Sequence, residues 1–288
     1  MLGLDPDLNA LWPGSDAGAP ATEGTPAQAA ADAVLAHCRA LLDATAGACV
    51  AVKPQLARFE LMGAAGWAAL EAVAAHARAL GLLVIADGKR GDIDVTAQAY
   101  ASALIDGIDS PFGRIAGIGA DLTTVNPLMG SDAVEPFVGA ARRAGTGVLV
   151  LVRTSNPGAA DIEDLRLEGS GSVWERIAAL VDELGGPGVG EGGMSDVGAV
   201  VGATEPGHLR RARELMPSAT FLLPGVGAQG GRVEELAAAF APGRAGGLVS
   251  ASRSIANAHL THGGEPAAAA RAEAERLRET AWALSDLR

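Results

Sequence analysis

Lys53 and Lys89 are the only lysines in a 288-residue chain that otherwise builds its cations from arginine, twenty of them. An ammonium is a compact charge able to release a proton, whereas a guanidinium in practice keeps its own. A sequence that keeps lysine at two positions alone is a candidate for proton chemistry there. Two chance survivors on a solvated face are the plainer alternative, and the neighbours of Lys89 decide between the two. In Asp87-Gly-Lys89-Arg90-Gly-Asp92-Ile93 two carboxylates flank the lysine in alternation, an arrangement that holds a cation. Asp92 is expected to cap the helix that follows, leaving Thr96 one turn later on roughly the same face. A charged turn ending in a capping aspartate remains the structural alternative.

Both lysines end apolar runs, CVAVK (49–53) and LLVIADGK (82–89). Strands are expected at 1–4, 49–53, 82–87, 121–125, 147–152, 197–202, 219–223 and 246–251. Helical patterns fall between them, among others at 58–80, 93–106, 131–144, 173–184, 205–216 and 232–240, with Gly81 and Gly145 where C-caps belong. Eight short strands alternating with helices imply parallel βαβ units, and predict a single-domain (β/α)8 TIM barrel over 1–288. Such barrels gather their chemistry at strand C-termini. Here those ends are polar: Asp5, Lys53, Asp87, Asn126, Thr154-Ser155, Thr204, Gly225 and Ser252-Arg253. The stretches 12–26 and 185–196 are rich in Gly and Pro and are expected to be mobile loops. The first strand begins almost at Met1, so it is expected to be shortened, with the native protein starting upstream.

Hydrophobic residues make up 49% of the chain and aromatics only 3%, so the core must be built from Ala, Val, Leu and Ile. The net charge of −12 argues against a nucleic-acid or anionic-membrane partner. There is no apolar run long enough to span a bilayer, and the N-terminal residues do not read as a secretory signal. Two cysteines, Cys38 and Cys49, suggest a reduced, cytoplasmic protein with small buried thiols. No metal site is expected from them, and His259 and His262 are expected to be solvated. Trp67 and Trp174 read as packing residues.

The segment D-x-K-R-G-D-I with its following Thr resembles the active-site signature of the orotidine 5′-phosphate decarboxylase family, in its long-chain bacterial (type 2) branch. Further matches run from end to end: GLDPD (3–7), VKPQLARFE (52–60), TVNPLMGSDAVEPF (124–137), RTSNPGAADIED (153–164), VVGATEP (200–206), LLPGVGAQGG (222–231) and SRSIANA (252–258). The resemblance implies a (β/α)8 barrel that converts orotidine 5′-phosphate to UMP without metal or organic cofactor. It implies a charged network of Lys53, Asp87 and Lys89, completed by Asp92 of a second subunit, with Ile93 and Thr96 reaching the same neighbouring site. The implied assembly is a homodimer. Asp5 and Lys53 would hold the ribose hydroxyls and Ser155 the pyrimidine edge. Gln229 and Arg253 would grip the phosphate, helped by the amides of the Pro224–Gly231 loop, Gly227 among them. Asn126 either approaches the ligand or caps the turn before Pro127.

Three other readings compete. Gly225-x-Gly227-x-x-Gly230 matches a dinucleotide fingerprint, which with Ser252-Arg253 ending the next strand would suggest an NADP oxidoreductase. It leaves the two lysines unexplained. A metal-dependent sugar-phosphate decarboxylase or aldolase of related fold also uses D-x-K-x-x-D, and loss of activity in EDTA would mark it. A non-catalytic nucleotide-binding barrel would bind UMP without turning over the substrate.

Overall fold

The computed structural model describes residues 1–14, 24–169, 171–227 and 230–285. In chain order its elements begin with β1 (Leu2–Leu4), α1 (Pro26–Thr45), β2 (Ala51–Pro54), α2 (Leu56–Glu60), α3 (Gly63–Ala79), β3 (Leu83–Arg90) and α4 (Asp94–Ala101). A small antiparallel pair follows, β4 (Ile108–Ser110) and β5 (Gly113–Ile115), then β6 (Leu122–Val125), α5 (Glu135–Ala144), β7 (Gly147–Arg153), α6 (Val173–Gly185) and β8 (Val197–Val201). The chain closes with α7 (Pro206–Leu215), β9 (Phe221–Leu223), β10 (Gly247–Val249), α8 (Arg253–Ala256), α9 (Ala258–His262) and α10 (Pro266–Ser285). Apart from β4 and β5, the strands are the eight expected from the sequence. Contacts divide the chain into two compact units, 1–88 with 251–278, and 89–250 with 279–288.

In the first unit β1, β2 and β3 run parallel, with Gly3 opposite Lys53 and Ala51 opposite Leu83. All four residues of β2 are buried, Lys53 included, as expected of parallel strands covered on both faces. Ala251 bridges to Leu2, and the Gly3 N–H donates to the Ala251 carbonyl at 2.8 Å. A Cβ at Gly3 would stand 2.9 Å from Ser252 Cβ, so glycine lets the chain beyond β10 lie against β1. The helix expected over 58–80 is two helices with a turn at Leu61–Met62. Gly66 makes their packing possible, since a Cβ there would sit 1.8 Å from the Phe59 carbonyl oxygen. The loop expected over 12–26 is anchored at Trp12, whose N–H donates to His37 Nδ1 (3.1 Å) and whose indole Nε1–H donates to the Ala256 carbonyl (2.8 Å). Thr25 Oγ1 then accepts from the Gln28 N–H and opens α1 at Pro26; residues 15–23 of this loop lie outside the described residues. His259 is half-buried rather than solvated, with Nδ1 enclosed by protein, while His262 is exposed.

In the second unit β6, β7, β8, β9 and β10 pair in parallel in that order, for example Val125 with Val150 and Leu222 with Leu248. The helix expected over 93–106 ends at Ala101 and gives way to a π-helical turn at Ser102–Asp106. Gly107 (φ 66°) closes that turn, and a Cβ on it would meet the Ile115 carbonyl at 2.3 Å. The stretch 185–196 is held by its own backbone: Val189 bridges Ser195, and the Gly190 N–H donates to the Met194 carbonyl at 3.0 Å. In place of a helix at 232–240 there are two short 3-10 turns, Val233–Glu235 and Ala237–Phe240. Behind them Arg213, 8% exposed, donates to the carbonyls of Met216, Pro217, Ala219, Ala239 and Gly246. Burial lowers its pKa to about 10. Trp174 is buried and Trp67 half-buried, as packing residues should be. Among the described residues no helix is long and apolar enough to cross a membrane.

Candidate active site

In the first unit the parallel register carries Asp5, Lys53, Asp87 and Ser252-Arg253 to the same ends of adjacent strands. Lys53 is 7% exposed and Asp87 3%, and they form a direct ion pair. Gln55, two residues past Lys53 and so on the same strand face, donates Nε2–H to Asp87 Oδ2 at 3.2 Å. A buried carboxylate persists in ionised form only when paired and hydrogen-bonded, and here one ammonium and one amide do that. Asp5 is half-buried just beyond β1. Arg253 is exposed at the first position of α8.

The second unit holds Lys89 differently. Lys89 is exposed and has a left-handed backbone, φ 47°, which costs a non-glycine residue roughly 1–2 kcal/mol. Three contacts fix it: its N–H donates to Thr124 Oγ1 (2.8 Å), the Asn126 N–H donates to the Arg90 carbonyl (2.7 Å), and Gly91 packs flat on Asn126. A Cβ on Gly91 would lie 2.9 Å from the Asn126 carbonyl oxygen. Arg90 lies over the Tyr100 ring, 5.4 Å from its centroid. Asp92 does not cap the helix as expected. Its Oδ1 accepts from the adjacent Ile93 N–H (2.8 Å), Ile93 is the residue before the helix, and α4 starts at Asp94. Asp94 (φ 51°) turns the chain here, so the helix begins after the position that Asp92 could cap. Asp92 is half-buried; Ile93 and Thr96 are exposed. Asn126 Oδ1 accepts from the Leu128 N–H at 3.0 Å across Pro127, which caps that turn.

Of the remaining residues, Ser155 is half-buried just after β7. Arg153 before it makes a bidentate pair with Asp164 (2.8 and 2.9 Å), which lowers the Asp164 pKa through that hydrogen bond. Pro224 is half-buried and Gly227 exposed in a loop closed by Gly227 N–H to Gly231 O (2.9 Å) and Gly231 N–H to Gly225 O (3.0 Å). Gly225 (φ 100°) and Gly227 (φ 76°) adopt backbone that only glycine takes without cost. Gln229 lies outside the described residues. The dinucleotide fingerprint fails here: its glycines must lead into a helix N-terminus that receives the pyrophosphate, and this loop leads into 3-10 turns. Sequence reasoning missed Gln55 and Thr124. The period of two from Lys53 marked the first, and a buried threonine at the end of an apolar strand, 1% exposed, marked the second.

The model of the orotidine 5′-phosphate decarboxylase / HUMPS family matches residues 25–272. An orotidine 5′-phosphate decarboxylase of Deinococcus radiodurans is 49% identical over 216 residues, 75% of this chain and 74% of that protein. One from Rhodopirellula baltica is 44% identical over 225 residues, covering 77% and 72%. The solved structure of Leishmania donovani OMP decarboxylase superposes with a TM-score of 0.72 at 33% identity, over 97% of this chain and 92% of that one. The expected (β/α)8 barrel is the fold class of this chain.

Proposed function

The chain belongs to the orotidine 5′-phosphate decarboxylase / HUMPS family and is a lyase that converts orotidine 5′-phosphate to UMP and CO2 in pyrimidine biosynthesis, and we propose that Lys89, Asp87, Lys53 and the partner subunit's Asp92 perform the chemistry. Relatives at 49% and 44% identity carry the decarboxylase name, which favours that activity over the sugar-phosphate reactions of the same barrel group. The observation that carries the assignment of roles is the buried Lys53–Asp87 pair, with Lys89 two residues further along β3.

Loss of CO2 from C6 leaves its electron pair on a ring carbon with little delocalisation. Asp87 faces the substrate carboxylate, and two unit charges about 4 Å apart repel by roughly 4 kcal/mol at an effective dielectric near 20. That repulsion vanishes as CO2 departs. Enzymes lower barriers by about 8–23 kcal/mol, so most of the effect lies in interactions that strengthen in the transition state. The Lys89 ammonium beside the developing carbanion supplies the largest of these and then gives its proton to C6. Lys53 keeps Asp87 ionised and in place, and with Asp5 binds the ribose hydroxyls. Ser155 reads the pyrimidine edge, while Arg253, Gln229 and the Pro224 and Gly227 loop hold the phosphate. Binding energy from that remote group serves to order and close the site.

Asp92, Ile93 and Thr96 act in a neighbouring copy, so the working form is a homodimer. What supports it is the exposure of apolar side chains on the same segment, Ile93 at 49% and Val95 at 76%. A cytoplasmic location fits the two free thiols, of which buried Cys38 is pushed up to about 12. In Lys89→Ala we expect no detectable decarboxylation, with UMP binding and thermal unfolding roughly preserved. Appreciable turnover overturns the proton donor. Mixing Lys89→Ala with Asp92→Asn chains restores part of the activity if sites are shared; no recovery removes Asp92 from the shared site.

A further inference from the structure

Ser155 sits in a loop whose base is clamped by a carboxylate that has no part in the chemistry above. The backbone N–H of Thr154 donates to Glu163 Oε2 at 2.8 Å, and the Thr154 hydroxyl lies 3.0 Å from Glu163 Oε1. One carboxylate thus grips both polar hydrogens of the residue immediately before Ser155. The same hydroxyl lies 2.7 Å from Asn156 Oδ1, but it has one proton to give, and the charged acceptor makes the stronger bond. Glu163 is itself fixed from behind: its carbonyl accepts from the Trp174 N–H (2.9 Å) at the start of α6, where Ser172 and Glu175 form a capping box. On the opposite side Gly202 supports Ser155. Its N–H donates to the Arg153 carbonyl at 2.7 Å, and a Cβ there would come within 2.9 Å of Ser155 Cα. Ser155 is therefore held between a carboxylate clamp, tied through its own carbonyl to the start of α6, and a glycine floor just after β8.

We propose that Glu163 is a positioning residue for base recognition: through Thr154 it sets the main chain of Ser155, and so the affinity of the site for the pyrimidine ring but not for the sugar phosphate. This rests on the reading above that Ser155 contacts the pyrimidine edge. The clamp's geometry fits that task better than general support of the loop. Arg153 and Asp164 already close the loop's base with a bidentate pair, so Glu163 adds orientation where closure is secured.

The test uses the full chain and measures affinities for UMP and for ribose 5-phosphate by calorimetry, so turnover plays no part. Glu163→Gln replaces one acceptor oxygen by a donor facing Thr154 and is expected to weaken UMP about tenfold, the scale of a lost charged hydrogen bond. Ribose 5-phosphate affinity should not change. Ser155→Ala should give the same split, and the double variant should be no weaker than the worse single, because both remove one contact. Equal weakening of both ligands by Glu163→Gln overturns the proposal in favour of general loop support. Normal UMP binding in Glu163→Gln with weakened binding in Ser155→Ala overturns it while leaving Ser155 as a base contact. Normal UMP binding in Ser155→Ala removes the base contact and the proposal with it, and leaves the decarboxylase activity standing. If Glu163→Gln does not fold, Thr154→Val, which keeps the shape and loses only the hydroxyl, reads the same contact by the same split.

Discussion

Lys53 is 7% exposed and bound to Asp87, whereas Lys89 is exposed and held by its backbone. In the first case the charge is matched before any ligand arrives, and removing either partner takes a buried counter-charge from the other. In the second the side chain sits where water reaches it, and the fold spends its constraint on the main chain: a left-handed φ, a hydrogen bond to Thr124 and a glycine pressed on Asn126. The first arrangement suits a group that must stay put and charged. The second suits a group that gives up a proton and recovers it from solvent.

The comparison breaks first at the level of stability. Lys53→Met removes the buried ammonium paired with Asp87, which should cost about 3–5 kcal/mol of unfolding free energy. Adding Asp87→Leu should recover much of that loss, since the buried carboxylate is then gone too. Lys89→Ala, at an exposed site, should stay within about 0.5 kcal/mol of the parent. Chemical denaturation of the four proteins measures all of this. Comparable losses at positions 53 and 89 would mean the two lysines are not held in different ways.

Burial also makes the first unit sensitive to protons at a point away from the site. His37 is 5% exposed, its Nδ1 accepts from the Trp12 N–H, and desolvation lowers its pKa from 6.5 to about 4. The unfolded chain therefore takes up this proton at a higher pH than the folded one. Its contribution to stability is complete above pH 6.5, declines as the pH falls, and levels off near pH 4, a loss of roughly 3 kcal/mol across the window. His37→Asn keeps an acceptor close to the Nδ1 position and has nothing to titrate there. The parent-minus-variant difference in unfolding free energy should thus shrink by that amount between pH 7 and pH 4. A constant difference would show that His37 carries no such burden.

Legibility in the sequence followed the same division. The eight strands were readable because buried parallel strands are continuous apolar runs, as in GVLVLV at 147–152. The buried pair was readable too, since Lys53 and Asp87 end such runs. What escaped was local backbone geometry. Asp92 has the residue type and spacing of a helix cap, but the positive φ of Asp94 starts the helix later. The β4–β5 hairpin depends on Gly107 and Gly117 fitting against carbonyls at 2.3 and 2.6 Å from their would-be Cβ atoms, a tertiary fit that no periodicity encodes. The 232–240 segment has a helical pattern, but packing around Arg213 resolves it into 3-10 turns. The Glu163 clamp was invisible for the same reason: nine residues separate it from Thr154, and only the folded loop brings them together.

The smallest expected effect is the most direct probe of how Lys89 is held. If its φ of 47° is imposed by Thr124, Asn126 and Gly91, position 89 carries strain that glycine would not feel. Left-handed backbone costs an L-residue about 1–2 kcal/mol, against which glycine's extra freedom in the unfolded chain costs about 0.4–1 kcal/mol. Lys89→Gly should therefore be more stable than Lys89→Ala by roughly 0.5–1 kcal/mol, although neither can donate a proton. Thr124→Val should narrow that gap, because it removes the acceptor that fixes the Lys89 N–H and lets an alanine chain relax. If Lys89→Ala matches or exceeds Lys89→Gly in unfolding free energy, position 89 is unstrained, and the lysine is aimed by its side-chain contacts rather than by its backbone.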